Sequence, residues 1–293
     1  MFAANFDYYR ASSVAEAGEL LVKHPGAKIL AGGHSLIPLL KLRLATPATV
    51  IDIGRLGELR GITSRDSLTI GALTTHAELA SSADVKRHAE ALVEAASQVG
   101  DPAVRNRGTI GGNIAHADPA SDLPIVLAAL GATINIIGNN GKRSVSSSDF
   151  FQGVMMTALQ DNEVITSIEI PGAPDDQGTA YAKFAHPASR YAVIGVAAAI
   201  TTNNDTCTSA SIAIGGLVPV PLRCSAVEQI LIGETLSEET LTTASEAVNG
   251  TNGGTDDLGD NLLGDLFASA NYRKAIASVY VRRALATAVK RAG

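Results

Sequence analysis

Apolar residues recur along this chain with alternating periods, a helical spacing near 3.6 in some stretches and short strand-like runs in others. Between residues 13 and 24, Val14, Ala17, Leu20 and Leu21 share one helical face. Ser13-Val14-Ala15-Glu16 has the Ser-x-x-Glu form of a capping box, and Pro25-Gly26 ends the segment. A strand is predicted over 27–30, then a glycine-rich turn, a short helical segment over 36–42 and a strand over 50–53. Strand, turn, helix and strand within about thirty residues is an α/β signature. Residues 56–71 break into short β-like pieces, clearest at Ser67-Leu68-Thr69-Ile70. A helix is predicted over 89–99, with Leu92, Val93, Ala96 and Val99 apolar and Asp101-Pro102 as its stop.

Residues 123–130 are apolar almost throughout and predict a buried helix closed by Gly131. Strands are predicted over 133–137 and 164–170, the second ending at Pro171. Farther on, 181–184, 192–200 and 210–214 read as consecutive strands. Helical patterns follow over 226–232, 238–248 and 272–289, the last with Tyr272, Ile276, Val279 and Tyr280 on one face. Strands followed by helices predict an α+β layer. The stretch 171–178 holds two prolines, two glycines and two adjacent aspartates, so a domain boundary is placed there, giving domains 1–176 and 177–293. Residues 249–260 are polar and glycine-rich and predict a surface loop. No repeat of the solenoid kind is present.

Composition narrows the function classes. With 293 residues, 46% apolar and 18% charged, the chain has an ample core and does not belong to the disordered class. A net charge of −6 argues against nucleic acid as a partner. No uncharged apolar stretch approaches the roughly 18 residues of a membrane span. Residues 1–10 carry Asp7 and no basic segment before a long apolar run, so no secretory signal is expected. The two cysteines, Cys207 and Cys224, are too few for a cluster held by four thiolates or for a disulfide scaffold. They are expected to be reduced, buried thiols of a cytoplasmic protein. Tryptophan is absent and aromatics are 4%, which argues against an aromatic groove for sugars or single strands.

The candidate chemistry sits in two glycine segments. One is Ala31-Gly32-Gly33-His34-Ser35-Leu36, at the end of the 27–30 strand. The other is Thr109-Ile110-Gly111-Gly112-Asn113, with His116-Ala117-Asp118-Pro119-Ala120-Ser121-Asp122 behind it. Paired glycines let backbone turn sharply and approach a ligand, and exposed amides can face phosphate oxygens. Two such segments suggest a long, multi-phosphate ligand gripped at two places. There is no Gly-x-Gly-x-x-Gly fingerprint after a strand. Gly138-Asn139-Asn140-Gly141-Lys142 lacks Walker spacing, with Arg143 where Ser or Thr is required. No Gly-x-Ser-x-Gly elbow, His-Glu-x-x-His or paired Cys-x-x-Cys pattern exists. A dinucleotide-grade grip without catalytic side chains points to a cofactor that does the chemistry. His116, Asp118 and Asp122 alternatively suit a metal hydrolase. Ser121 or Asp122 alternatively caps a helix, and a carboxylate there also suits a ribose hydroxyl or a flavin edge. Arg105 and Arg107 are either solvated or balance ligand phosphates or partner acids.

Three stretches resemble the FAD-binding medium subunit of the molybdenum hydroxylases. They are the segment 31–43, the segment 100–119 (Gly-Asp-Pro-Ala-Val-Arg-Asn-Arg-Gly-Thr-Ile-Gly-Gly-Asn-Ile-Ala-His-Ala-Asp-Pro), and its continuation 120–124. The resemblance extends over essentially the whole chain and is nearest in type to the aerobic carbon monoxide dehydrogenase medium subunit. It implies an α+β chain: a two-subdomain FAD-binding domain of the PCMH or vanillyl-alcohol oxidase type, then a C-terminal domain of antiparallel strands and helices. It implies that Ile29, Leu30, Ala31, Gly32, Gly33, His34 and Ser35, leading into Leu36, wrap the FAD pyrophosphate through backbone amides. Thr109, Ile110, Gly111, Gly112 and Asn113 form a second wall, and Asp122 meets the ligand behind it. Ile165 packs near the flavin, Lys183 contacts FAD and Tyr191 lies near the isoalloxazine. Ala185-His186-Pro187-Ala188-Ser189 stands where such relatives are more basic.

The implied function is electron transfer. Substrate (carbon monoxide, an aldehyde or an N-heterocycle) is oxidised at a molybdopterin centre in a large partner subunit. Electrons then cross [2Fe–2S] clusters in a small partner, and FAD in this chain passes them to an external acceptor. The implied assembly is a dimer of heterotrimers. A self-contained flavin oxidoreductase of the same fold is the alternative, with His34 or His76 as a covalent flavin link.

Overall fold

The computed structural model describes residues 2–250 and 257–292. The chain opens with β1 (Asp7–Arg10), α1 (Val14–Lys23), β2 (Lys28–Leu30), α2 (Leu36–Lys41) and β3 (Thr49–Asp52). The three strands form a parallel sheet in the order β1-β3-β2. Ser13 caps α1 by accepting from the Glu16 amide, and Ala17 and Leu21 face Ile51, Ile53 and Leu59 in a small core. The sequence reading missed β1, because Asp-Tyr-Tyr-Arg is polar and pairs only along one edge.

The second unit begins with β4 (Ile62–Ser64) and β5 (Ser67–Gly71) and continues into a helical run. Its helices are α3 (His76–Ser81), α4 (Ala83–His88), α5 (Glu90–Gln98), α6 (Pro102–Arg105), α7 (Ile110–His116) and α8 (Asp122–Ala129). Next come β6 (Thr133–Gly138), β7 (Gly141–Ser146), α9 (Ser147–Phe150), β8 (Phe151–Gly153), β9 (Met156–Thr157) and β10 (Val164–Pro171). The antiparallel order β4-β5-β10-β6-β7 puts the last strand at the centre of the sheet. Helices α5 and α8 join its apolar face in one cluster with Leu68, Ile70, Ile134 and Ile168. The failed Walker stretch is the β6–β7 hairpin, with Asn139-Asn140 between the paired Gly138 and Gly141. The buried helix over 123–130 is present as α8, and Gly131 follows it at φ 61, in the left-handed region.

The third unit is a sheet of β11 (Gln177–Ala185), β12 (Ala192–Asn203), β13 (Thr206–Gly215) and β14 (Leu222–Arg223), antiparallel in that order. Helices α10 (Ser225–Leu231), α11 (Glu238–Glu246) and α12 (Ala270–Ala292) follow. One face of the sheet receives α12 and the other receives α8 from the second unit. The predicted strands and helices are all present, each strand longer than expected. The surface loop expected over 249–260 lies in part, at 251–256, outside the described residues. Cys207 and Cys224 are free and buried.

Candidate functional site

The first glycine segment leaves the C-terminal end of β2, in register with β3: Ile29 pairs with Ile51 and Leu30 with Asp52. The Ile53 amide donates to the Leu30 carbonyl at 3.0 Å. Gly33 adopts φ 81, which reverses the chain into α2. Among the described residues the amides of Gly32, Gly33, His34 and Ser35 donate to no protein acceptor, and the Ser35 hydroxyl makes no capping bond. Four consecutive unpaired amides in a turn form a concavity suited to oxyanions. It stands beyond the carboxyl end of a parallel sheet, where open α/β sheets bind ligands.

The second segment differs from its expectation. Residues 109–113 are not a loop but the start of α7, with Thr109 as N-cap. Its amides are already used: Ile110 donates to the Thr74 carbonyl at 3.0 Å, Gly111 to Ala72 at 2.9 Å and Gly112 to the Thr109 hydroxyl at 3.2 Å. The glycines here serve close protein packing, since a Cβ on Gly111 would stand 2.6 Å from the Ala72 Cβ. This segment packs directly against the first. A Cβ on Gly32 would overlap the Arg107 carbonyl oxygen, and one on Gly112 would lie 3.8 Å from the Ala31 Cβ. The structure thus brings the two segments together, with the run of consecutive free amides on the first.

His76, which opens α3, is wedged into the same junction. Its amide donates to the Gly108 carbonyl at 3.0 Å, and a Cβ on Gly108 would press on its ring at 2.8 Å. The imidazole is 3% exposed and its Nδ1 has no partner among the described residues. Burial lowers its pKa to about 4, and the nearby His34 and Arg105 act in the same direction.

Asp122 and Lys183 meet each other. Asp122 is the first residue of α8 and Ser121 is its N-cap, with the Ser121 hydroxyl donating instead to Asn113 Oδ1 at 2.8 Å. The Asp122 carboxylate accepts from Lys183 Nζ at 2.8 and 2.9 Å and from the Tyr181 hydroxyl at 2.6 Å. Lys183 has no exposed side-chain surface and also reaches the Gln98 carbonyl at 3.4 Å. Burial pushes the Asp122 carboxyl up, opposed by Lys183 and by the Tyr181 hydrogen bond. Both residues therefore lie inward of the surface on which a ligand was expected to meet them. Ile165 is likewise buried, on β10 opposite Ile136. Tyr191 is 46% exposed at the end of a turn, and the following Ala192 amide donates to the Ala120 carbonyl at 3.0 Å. Its phenol pKa is raised by burial first and by Asp118 and Asp122 next.

The metal-hydrolase alternative finds no geometry. Asp118 turns back to accept from the Ala120 amide at 2.9 Å, Asp122 is paired with Lys183, and no group of three potential ligands gathers among the described residues. Sequence reasoning missed His76 as a part of the junction, although Thr75-His-Ala-Glu78 is a capping box that marks the start of α3. It also missed Tyr181, which sits two residues before Lys183 on one strand and hence on the same face.

Comparison with known proteins agrees with this architecture. Residues 4–173 match the family model described as FAD binding domain in molybdopterin dehydrogenase, and 179–288 match CO dehydrogenase flavoprotein C-terminal domain. The carbon monoxide dehydrogenase medium chain of Hydrogenophaga pseudoflava is 39% identical, covering 97% of each chain. The glyceraldehyde dehydrogenase medium chain of Sulfolobus acidocaldarius is 41% identical over 82% of this chain and 85% of its own. A solved Hydrogenophaga pseudoflava carbon monoxide dehydrogenase, lacking the Mo-pyranopterin moiety of its molybdenum cofactor, superimposes with a TM-score of 0.92 at 38% identity, covering 99% of each chain. An amide-lined turn walled by a second glycine segment, in a chain matched end to end by such relatives, makes this protein an FAD-binding medium subunit of the molybdenum hydroxylase family, the flavoprotein part of an oxidoreductase.

Proposed function

We propose that this chain takes electrons from [2Fe–2S] clusters of a small partner subunit and passes them to an external acceptor. A large molybdenum-pterin partner oxidises carbon monoxide, an aldehyde or an N-heterocycle. The observation that carries this reading is the run of four free amides at Gly32–Ser35 in a chain whose two parts match the FAD-binding and CO dehydrogenase flavoprotein family models. The amides fit the diphosphate of FAD, and the unpartnered His76 nitrogen at the adjoining wall fits a site that awaits a polar ligand. When bound, the flavin supplies a carrier that exchanges electrons singly or in pairs. Gly32, Gly33, His34 and Ser35 hold the diphosphate, while α7 from Thr109 to Asn113 walls it. Asp122 and Lys183 act from beneath, bracing α8 against the third unit. Tyr191 is the exposed ring that covers the isoalloxazine. The boundary at 171–178 separates the FAD-binding part from the C-terminal part, and the assembly is a cytoplasmic dimer of heterotrimers.

The test is to purify the chain alone and then with both partners. Alone it should release free FAD on denaturation, be reduced by dithionite, and leave carbon monoxide, aldehydes and N-heterocycles untouched. Activity should appear only on reconstitution. Oxidation of any of these by the pure chain would replace this reading with the self-contained flavin oxidoreductase.

A further inference from the structure

The turn that ends at Tyr191 is shaped by one side chain, His186. Residues 185–191 join β11 to β12. The His186 amide donates to the Tyr191 carbonyl at 2.8 Å, and its carbonyl accepts from the Arg190 amide at 2.8 Å. Its Nδ1 accepts from the Ala188 and Ser189 amides at 3.2 and 3.3 Å, which leaves the ring proton on Nε2. Arg190 stands at φ 60, a left-handed conformation that a residue with a Cβ keeps only where its surroundings impose it. The turn is therefore held in one shape, and Tyr191 leaves it in one direction.

The same ring ties the turn to the start of α12. His186 meets Phe267 edge to face, with ring centroids 4.6 Å apart. Asp265 fixes Phe267 in place: its Oδ1 accepts from the Phe267 and Ala268 amides at 2.9 and 2.8 Å, and its Oδ2 pairs with Arg273 of α12. Arg273 is buried and donates to the carbonyls of Gly216 at 2.6 Å and Val193 at 3.4 Å. Val193 lies two residues beyond Tyr191 on β12. One anchor at the head of α12 thus reaches Tyr191 from both sides, through the His186 ring before it and through the Val193 carbonyl after it.

We propose that His186 is a positioning residue, which sets the Tyr191 ring over the flavin by capping the 185–191 turn and leaning it on Phe267. This rests on the reading of Tyr191 as the ring that covers the isoalloxazine. The turn is exposed, so the two amides freed by loss of Nδ1 can turn to water, and the effect falls on the ring's placement more than on stability.

Flavin fluorescence of the FAD-loaded complex, expressed per bound FAD, tests the assignment. An aromatic ring stacked on an isoalloxazine quenches its emission, so Tyr191→Ala should brighten the flavin several-fold. His186→Ala should go most of that way with FAD content unchanged, and should add nothing in a Tyr191→Ala background. His186→Asn, whose Oδ1 can accept the same two amides, should brighten less than His186→Ala. Phe267→Leu, which keeps those bonds and removes the supporting ring, should brighten partially, and it decides if His186→Ala fails to fold. Wild-type emission from His186→Ala beside a bright Tyr191→Ala overturns the positioning role and leaves the reading of Tyr191 intact. So does a loss of FAD in step with thermal stability, without brighter emission from the FAD that remains. A Tyr191→Ala variant no brighter than wild type overturns the reading of Tyr191, and this inference with it.

Discussion

Asp122 forms a buried ion pair, since its partner Lys183 has no exposed side-chain surface. Removing one member of a buried pair leaves the other uncompensated, which costs about 3–5 kcal/mol. Asp122→Ala should lose that much stability in urea denaturation, and adding Lys183→Met should recover most of it. A loss below about 1 kcal/mol would contradict the buried pair. His76 makes the opposite kind of prediction. Its pKa is held at about 4, so between that value and the ordinary histidine range the unfolded chain binds more protons than the folded one. Stability of the deflavinated chain should then fall as pH drops from about 6.5 to about 4, by roughly 3 kcal/mol from this group. His76→Leu should flatten that slope when denaturation midpoints are compared across the window. An unchanged slope would mean that the ring is protonated in the fold. Neither interaction was visible in single residues, since Asp122 and Lys183 are far apart in sequence and the environment of His76 depends on Gly108.

At the scale of elements, α8 decides how the second and third units meet. Its Ile125 lies against Gly195 of β12 and Gly215 of β13, where added Cβ atoms would come 2.7 Å from the Ile125 Cδ1. A Cβ on Gly195 would also overlap the Tyr181 hydroxyl. Gly195→Ala should cost about 1–3 kcal/mol through overpacking and weaken the Tyr181–Asp122 bond. Thermal unfolding reads the first effect, and the ultraviolet titration of Tyr181 reads the second. The sequence named α8 correctly because a run apolar on every face has nowhere to go but inward. It misread 109–113 because a Gly-Gly pair looks like a turn, whereas Thr109 caps a helix whose tight fit against Ala72 requires the glycines. It passed over α3 and α4, although Thr75 and Ser82 cap them, because six-residue helices show too little periodicity to register.

Across the whole molecule, Glu94 on α5 ties three segments together. It accepts from the Tyr181 amide at 2.7 Å and from Arg291 of α12 at 2.6 Å, while Arg291 also donates to the Thr179 carbonyl at 2.6 Å. Glu94→Ala strands the Tyr181 amide and removes one of the ion pairs that hold Arg291 of α12, an expected loss of about 1–3 kcal/mol. Hydrogen exchange should show faster exchange at Tyr181 and in the last turns of α12. Unchanged protection would mean that apolar packing alone holds that helix.

The sequence by itself determined the elements whose apolar period is long or unbroken, the order of those elements, and the two glycine segments that mark the family. These are local properties, set by neighbours within a few residues of one another. Only the tertiary structure decided which amides stay free. Gly32–Ser35 and Ile110–Gly112 look alike in one dimension, but Thr74, Ala72 and Thr109 occupy the second set, and no acceptor among the described residues occupies the first. It also decided that Asp122 faces Lys183, and that His76 lies between segments more than thirty residues from it on either side. A hydrogen-bond donor can be consumed by an acceptor on any part of the chain that folding brings within reach, and sequence spacing carries no record of that distance.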